Sequence, residues 1–170
     1  TFDAGTLKAT GEYAHVEGES CSACGIASHA EGNKTATSGS YSHSEGAFTL
    51  VSGESSHAEG RYTLVSSNYS HAEGYLTTAS ADYSHAEGLG TIASGSYQTV
   101  VGQYNLKNNI NSLFVVGNGL SDDNRKDLFA VNNNNQIQLS GGIRHAVTSS
   151  ATNYTLKISD YFVLCRTDSI

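Results

Sequence analysis

Proline, methionine and tryptophan are absent from this 170-residue chain, and only 15% of its residues are charged. Because methionine is missing even at position 1, we expect a processed product or, given the strand-like sequence near the end, a segment of a longer protein. No secretory signal is recognisable, and no apolar run approaches the roughly 18 residues of a membrane span. Lys and Arg are few, and the net charge of −7 argues against nucleic acid as a partner.

What the chain does contain is a repeat. Six of the seven histidines recur with a 14-residue period, most plainly within the phrase Ser-His-Ala-Glu-Gly at residues 28–32, 56–60, 70–74 and 84–88. A fixed short period predicts a solenoid, in which each repeat is one coil that buries its apolar side only against the next coil. We therefore predict seven coils, from about residue 5 to residue 102, each with two short strands and two tight turns.

Alternation along a strand decides which side chains face the interior of a coil. A coil of two strands encloses a thin space that admits only small residues, so the predicted inward set is Ala30, Ala58, Ala72, Ala86, Thr49, Val51, Thr63, Val65, Thr77, Ala79, Thr91 and Ala93. On the second strand the outward positions are Lys8, Ser22, Ala36, Leu50, Leu64, Thr78 and Ile92. The His and Glu of the phrase also point outward.

Such a thin roll is a weak folding unit by itself. Its interior is mostly methyl groups, worth about 0.8 kcal/mol per buried carbon, whereas backbone ordering costs roughly 1 to 2 kcal/mol per residue. We therefore expect it to associate with copies of itself, with the recurring His and Glu stacked along a symmetry axis. This His/Glu row comprises His15, Glu17, His29, Glu31, His43, Glu45, His57, Glu59, His71, Glu73, His85 and Glu87.

At these residues the sequence resembles the head repeat of YadA-like trimeric autotransporter adhesins. The Ser-His-Ala-Glu-Gly variant is more similar to bacteriophage appendage proteins, including tail proteins that end in an intramolecular-chaperone autoproteolytic domain. Segments similar to residues 101–105 and 114–125 tend to follow the last coil in those proteins. The resemblance covers about residues 9–142 and implies an all-β, left-handed parallel β-roll solenoid that forms a homotrimer. Since the adhesin repeat has Val and Ile where this chain has His and Glu, the implied trimer axis is polar and hydrogen-bonded.

Three regions follow from the pattern. Residues 1–102 form the seven-coil repeat domain, residues 103–142 a small β cap or connector, and residues 143–170 the start of a further β segment. Strands are predicted at residues 113–116, 128–131 and 136–139. The asparagine run at 132–135 suits a hairpin turn, because Asn tolerates left-handed backbone angles. The cap would cover the open end of the roll, which otherwise exposes an unpaired edge.

The spacing of His and Glu admits an interchain ladder, capture of a metal ion or anion on the axis, or catalysis. Six equivalent copies argue against catalysis, because an active site needs one asymmetric constellation. A ladder can satisfy itself, since neutral imidazole donates one proton to a carboxylate and accepts another from a hydroxyl. We therefore expect the ladder, with no enzyme activity, cofactor or metal residue. Pairing with carboxylates would raise the pKa of the histidines, whereas burial would lower it.

Two other clusters have simpler interpretations than a metal site. Cys21 and Cys24 are spaced like half of a zinc site, but they take the Thr and Ser positions of the repeat, so we interpret both as small buried substitutes. The segment 122–124 is interpreted as a turn rather than a calcium loop. Arg125 is expected to pair with Asp122 or Asp123.

Large apolar residues recur on the turns and outer strands of coils three to seven, and side-by-side apolar groups often mark a contact surface. This candidate contact surface comprises Phe48, Leu50, Tyr62, Leu64, Tyr75, Leu76, Leu89 and Ile92. It would pack against a neighbouring subunit, or it would contact a receptor, a glycan or a partner protein.

The function predicted from these features is that of a structural trimeric fibre segment of a bacteriophage appendage, a tail fibre or a capsid fibre, presenting a face that binds a host cell or another surface. The alternative is the head domain of a bacterial trimeric surface adhesin. An autoproteolytic fibre protein is a third class, which no catalytic constellation outside the repeat supports. The expected partners are further copies of the chain, other virion proteins and a host receptor or glycan. The expected location is the virion or, for the alternative, the bacterial cell surface, without membrane insertion.

Overall fold

The structure, a computed structural model, describes residues 6–140. This part of the chain is all-β, as predicted, and contains no helix. Among these residues there is accordingly no helix long and apolar enough to span a membrane. The β segment predicted at residues 143–170 lies outside the described residues.

The strands in chain order are β1 (Lys8–Ala9), β2 (His15–Glu19), β3 (Ser22–Ala23), β4 (His29–Asn33), β5 (Ala36–Thr37), β6 (His43–Ser44), β7 (Leu50–Val51), β8 (His57–Arg61), β9 (Leu64–Val65), β10 (His71–Tyr75), β11 (Thr78–Ala79), β12 (His85–Leu89), β13 (Ile92–Ala93), β14 (Thr99–Gln103), β15 (Ser112–Asn118), β16 (Asp127–Asn132) and β17 (Ile137–Leu139). Odd-numbered strands β1 to β13 form one seven-stranded sheet. Even-numbered strands β2 to β14 form a second sheet, which β15, β16 and β17 extend to ten strands. Each coil thus gives one strand to each sheet.

Strand pairing reproduces the sequence period. In the second sheet His71 lies beside His57 on one side and His85 on the other, and Glu73 lies likewise between Glu59 and Glu87. In the first sheet the pairing is equally regular, for example between β9 and β11. Every coil therefore rests on a copy of itself shifted by one repeat, so equivalent side chains stack.

The parallel solenoid has about eight turns, one more than the seven coils counted from the sequence. The additional strand is β15, which pairs in parallel with β14 and places Phe114 opposite Thr99. The step between these two partners is one residue longer than the repeat, and the intervening segment lacks the repeat phrase. The periodicity therefore did not reveal that β15 continues the parallel stack.

Strands lie at all three places predicted after the repeat, and they continue the second sheet. β16 pairs antiparallel with β15, and β17 pairs antiparallel with β16. The asparagine run between β16 and β17 forms the predicted turn, in which Asn135 has a left-handed φ of 66°.

The predicted inward residues are confirmed as the interior of the roll. Each of the twelve is at most 1% exposed, with Val51 and Val65 among the largest fully buried side chains. On the opposite side of the same short strands, Leu50 is 43% exposed. The interior is thus filled by alanine, threonine and valine, as the narrow space between the two sheets requires.

The glycine that closes each phrase has a steric reason. Gly60 has a φ of +102°, which side chains rarely adopt, and a Cβ built on it would overlap the carbonyl oxygen of Gly74 in the next coil. The same relationship recurs from coil to coil, for example between Gly74 and Gly88. These glycines let neighbouring coils approach to the distance that strand pairing sets.

Two buried amides mark the last coils. Asn105 has no exposed surface; its Nδ2 donates to the carbonyl of Ile92 at 2.9 Å, and its Oδ1 accepts from the Ile92 amide at 2.8 Å. The Asn105 amide thus occupies the place of a further strand beside β13. Gln98, 1% exposed, donates to the carbonyls of Asn109 and Ser112 and accepts from backbone amides at the preceding turn.

Candidate functional site

The histidines of the His/Glu row form one continuous ring stack. Ring centroids of consecutive histidines are 4.7 to 5.0 Å apart from His15 to His85. In the middle of the stack the planes are nearly parallel, within 2° for His29 and His43 and within 4° for His43 and His57. The stack follows from the backbone, since each histidine is the first residue of its strand and neighbouring strands are about 4.8 Å apart.

The row lies on the outside of the roll, as predicted from alternation. The side chains of His43 and Glu31 are 33% and 31% exposed. By contrast Ala30 and Ala58, each of which stands between a His and a Glu of the row, are fully buried. The end members His15, Glu17 and Glu87 are the most open. The row is therefore a half-exposed polar face of the second sheet.

Within one chain the histidines and glutamates approach each other without forming good hydrogen bonds. His43 Nε2 lies 3.3 Å from Glu31 Oε1, and the corresponding atoms are 3.9 Å apart for His29 and Glu17. In spite of the 3.3 Å distance, the alignment of the His43–Glu31 pair is not that of a hydrogen bond. Five Nε2 atoms of the stack are covered and have no hydrogen-bond partner among the described residues; they belong to His29, His43, His57, His71 and His85.

The stacked glutamates shift one another's pKa values along the row. The pKa of Glu45 is raised to about 7, first because its carboxyl hydrogen-bonds that of Glu31, then by burial and by Glu59. The pKa of Glu73 is also raised, mainly by the hydrogen bond with Glu59. Conversely, the pKa of Glu59 is lowered, because it accepts hydrogen bonds from Glu73 and Glu45. The pKa values of carboxyl groups stacked at the strand spacing thus alternate between raised and lowered, since adjacent negative charges repel.

For the histidines, burial prevails over pairing. The pKa values of His57 and His71 are lowered, mainly by burial, next by a stacked imidazole, and only partly offset by Glu59. Of the two opposing effects expected from the sequence, burial therefore decides the direction for these two residues in the single chain. Both imidazoles are therefore harder to protonate than an ordinary histidine.

The row also contains groups with the donor types of a metal site. In four groups one donor atom from each of three side chains lies within 4.8 Å of the others; they are His29 with Glu31 and His43, His43 with Glu45 and His57, His57 with Glu59 and His71, and Glu73 with His85 and Glu87. Imidazole nitrogen and carboxylate oxygen together suit first-row divalent metals. The sequence interpretation assigned no metal residue here.

The candidate contact surface is partly one cluster of aromatic rings. The ring of Phe48 stacks on that of Tyr62 at 4.8 Å, and Tyr62 meets Tyr75 edge-on at 6.0 Å. The charged groups of Lys34 and Arg61 lie 5.1 Å from the ring centres of Phe48 and Tyr62, respectively. Of the eight residues, Leu50, Tyr62, Tyr75 and Leu76 are exposed, and Phe48, Leu64, Leu89 and Ile92 are half-buried.

A second aromatic feature lies two residues before the histidines, at tyrosines that recur in the sequence together with the His and Glu of the row. Tyr69, Tyr83 and Tyr97 form a tyrosine stack with centroids 5.1 and 5.0 Å apart. They are 50%, 51% and 67% exposed, and each has a left-handed φ between 55° and 62°. These tyrosines recur with the same period as the histidines. The tyrosine stack therefore runs along the roll in step with the His/Glu row.

The interpretation of the two cysteines was half right. Cys21 is buried, and its thiol lies 3.3 Å from the carbonyl of Gly32. Cys24 is exposed, because the Ser position that it takes faces solvent in the repeat, as at Ser38 and Ser52. Its predicted burial was therefore wrong.

The turn interpretation of residues 122–124 is confirmed. Ser121 and Asn124 bridge a tight turn, and Arg125 pairs with Asp122 at 2.7 Å. Lys107 lies 2.9 Å from the same carboxylate, so Lys107 and then Arg125 lower the pKa of Asp122. Arg125 also donates to the carbonyls of Gly90 and Asn105 and thereby holds this turn against the last coils.

Comparison with protein-family models gives no match for this chain. A search of the curated proteins likewise finds no relative. The class of protein that the fold defines is therefore a repetitive parallel β-solenoid.

Proposed function

We propose that this chain is a structural segment of a homotrimeric fibre, carried on a bacteriophage tail or capsid, that presents a face for binding a host cell or another surface. In this proposal the roll is left-handed, three His/Glu rows meet on one axis, and β15 to β17 cap the end of the repeat. No enzymatic step is involved. The resemblance of the repeat phrase to phage appendage proteins directs the proposal toward a virion.

The observation that carries the proposal is the set of covered Nε2 atoms on the His/Glu row. A buried polar atom without a partner costs roughly 1 to 3 kcal/mol, and five of them recur at regular spacing on one face. A second and third copy of the same row would supply carboxylates at the same period. The partner can be another copy of the same chain, since a symmetric assembly places identical rows around its axis.

The small amount of apolar surface buried inside one roll also favours assembly. The buried hydrophobic side chains of the coils are alanine, valine and one cysteine, so each coil removes little apolar surface from water. Ordering the backbone costs roughly 1 to 2 kcal/mol per residue, which methyl groups alone barely offset. Association adds buried surface without lengthening the chain.

Sedimentation of the full chain at micromolar and nanomolar concentrations tests the assembly. We expect a trimer at micromolar concentration, and loss of β structure where dilution separates the subunits. A folded monomer throughout this range would refute the trimer.

Antibody labelling of intact particles tests the location. Antibodies raised against residues 6–140 and imaged with gold should decorate fibres that project from the virion. Labelling of a bacterial surface, with bare particles, would instead support the adhesin alternative and overturn the phage assignment.

A further inference from the structure

One cluster in the His/Glu row has a geometry that hydrogen bonding does not explain. His43 Nε2 and Glu31 Oε1 are 3.3 Å apart, closer than the other His–Glu pairs, yet without hydrogen-bond alignment. His29 belongs to the same group of donor atoms, all within 4.8 Å of one another. The three side chains are half-buried and share one face.

We propose that Glu31 and His43, with His29 as a further donor, bind a first-row divalent transition metal of the zinc type. Two donor atoms 3.3 Å apart, each about 2.1 Å from a common ion, subtend an angle of about 104° at that ion. This angle is close to tetrahedral, the geometry that zinc prefers. Imidazole donors favour zinc, cobalt, nickel or copper over calcium and magnesium, whose ligands are oxygen atoms.

The stacked rings determine what else the site needs. The rings of His29 and His43 are parallel within 2° at 4.7 Å, so their lone pairs point side by side and do not converge on one point. His29 therefore joins the site only after its ring turns, whereas Glu31 and His43 supply two donors as they stand. The remaining positions belong to water or to a second copy of the chain; the latter possibility rests on the proposed trimer.

The covered Nε2 atom of His43 is the second observation in favour of this site. It has no hydrogen-bond partner in the described chain, although its nearest carboxylate oxygen is 3.3 Å away. A divalent cation between the two atoms would be attracted by the carboxylate charge and would accept the Nε2 lone pair of a neutral imidazole. The pair is thus better suited to share a cation than to face each other alone.

Metal titration of the full chain, stripped of metal with a chelator, tests the site. Zinc binding is measured by calorimetry, and cobalt(II) serves as the optical probe, because four-coordinate cobalt absorbs strongly in the visible range. We expect the visible band with the wild-type chain and zinc affinity lowered by on the order of tenfold or more in Glu31→Gln and in His43→Gln. Circular dichroism checks that each variant is folded, and Glu31→Gln decides the matter if His43→Gln fails to fold.

His15→Gln is the matched control, because His15 ends the same ring stack but belongs to none of the donor groups found among the described residues. It should bind zinc as the wild-type chain does. Zinc binding that is absent, or that is equal in Glu31→Gln, His43→Gln and His15→Gln, would overturn the site.

Sedimentation of the same samples with and without chelator separates this inference from the proposed function. A monomer that binds zinc through Glu31 and His43 supports the site while refuting the trimer. A trimer that binds no zinc refutes the site alone.

Discussion

The side-chain amide of Asn105 bonds both backbone groups of Ile92, its Oδ1 to the N–H at 2.8 Å and its Nδ2 to the carbonyl at 2.9 Å. A side chain thereby replaces the strand that would otherwise pair with β13. The second sheet continues past this level through β14 and β15, so the two sheets end at different heights.

Asn105→Ala should destabilise the fold, because the Ile92 N–H and carbonyl would lose their partners at the end of the sheet. We expect a loss of roughly 1 to 3 kcal/mol in the free energy of unfolding, measured by denaturant titration. Asn111→Ala, at an exposed asparagine nearby, is the control and should change little. Equal effects of the two substitutions would contradict the role of the Asn105 amide.

Gly60→Ala should be more damaging than Gly53→Ala. A Cβ at either position would overlap a backbone oxygen of the next coil, and of the two only Gly60 also has a φ of +102°. Moreover, Ser67 and Ala81 occupy the Gly53 position in the two following coils, so the chain already accommodates a Cβ there. The unfavourable backbone angle alone should cost roughly 1 to 3 kcal/mol at residue 60, and thermal denaturation of both variants measures the difference. The opposite ranking would contradict this account.

Glu73→Gln should change how stability depends on pH. The pKa of Glu73 is raised above 4.5 by its hydrogen bond with Glu59, by burial and by the charges of Glu87 and Glu59, with His85 opposing. A raised carboxyl pKa means that the folded chain holds a proton that the unfolded chain releases, so stability falls as pH rises from 4.5 through the folded value. The variant should lose this part of the decline.

Melting temperatures between pH 4 and pH 8 measure the effect, with Glu54→Gln on an exposed turn as the control. The control should keep the decline of the wild-type chain. If Glu73→Gln keeps it as well, the raised pKa of Glu73 does not explain the decline.

Replacing His57 and Glu59 together by Val and Ile should preserve assembly. The side chains are about one-third exposed in the single chain, and Nε2 lies 4.0 Å from Glu59 Oε2. His57→Val alone leaves a carboxylate against an apolar neighbour in the proposed interface, at a cost of roughly 1 to 3 kcal/mol per chain. Sedimentation and thermal denaturation of the single and double variants provide the comparison. A single variant as stable as the double would place the interface elsewhere.

Insertion of one whole coil should be tolerated. Because β8, β10 and β12 pair with like residues opposite like, a second copy of residues 61–74 placed after Gly74 would simply add one turn. A half-coil insertion at the same point would place the Thr/Ala strand beside the His/Glu strand. Circular dichroism and melting temperature should show a native-like fold for the first insertion only, and equal stability of the two would contradict the strand pairing described above.

The repeat could be predicted from the sequence because the placement of its side chains depends on neighbouring residues in the same strand. Alternation and the small volume between two sheets decide that Ala58 and Val65 face inward and His57 outward, and both were predicted from sequence. The turn before Arg125 was also predictable, since Asp122 lies within reach of its guanidinium. No long-range information is needed for these placements.

Other features depend on contacts that leave no periodic pattern in the sequence. β15 joins the parallel stack one residue later than the repeat would place it, so a search for the exact period misses it. The bonds of Asn105 to Ile92 require the fold to be known first. The direction of the His57 pKa required a comparison of burial with charge, and burial is a property of the assembled coils.

The sameness of the coils has a consequence for how the chain finds its structure. A stack displaced by one whole coil would bury nearly the same interior and pair the same strands, so most of the roll cannot distinguish correct alignment from a slip. Gln98 and Asn105 can, since each of these side chains occurs once at its position in the stack, where it bonds the backbone of Ser112 or Ile92. The coils are therefore interchangeable in the stack, and the register is fixed at its end.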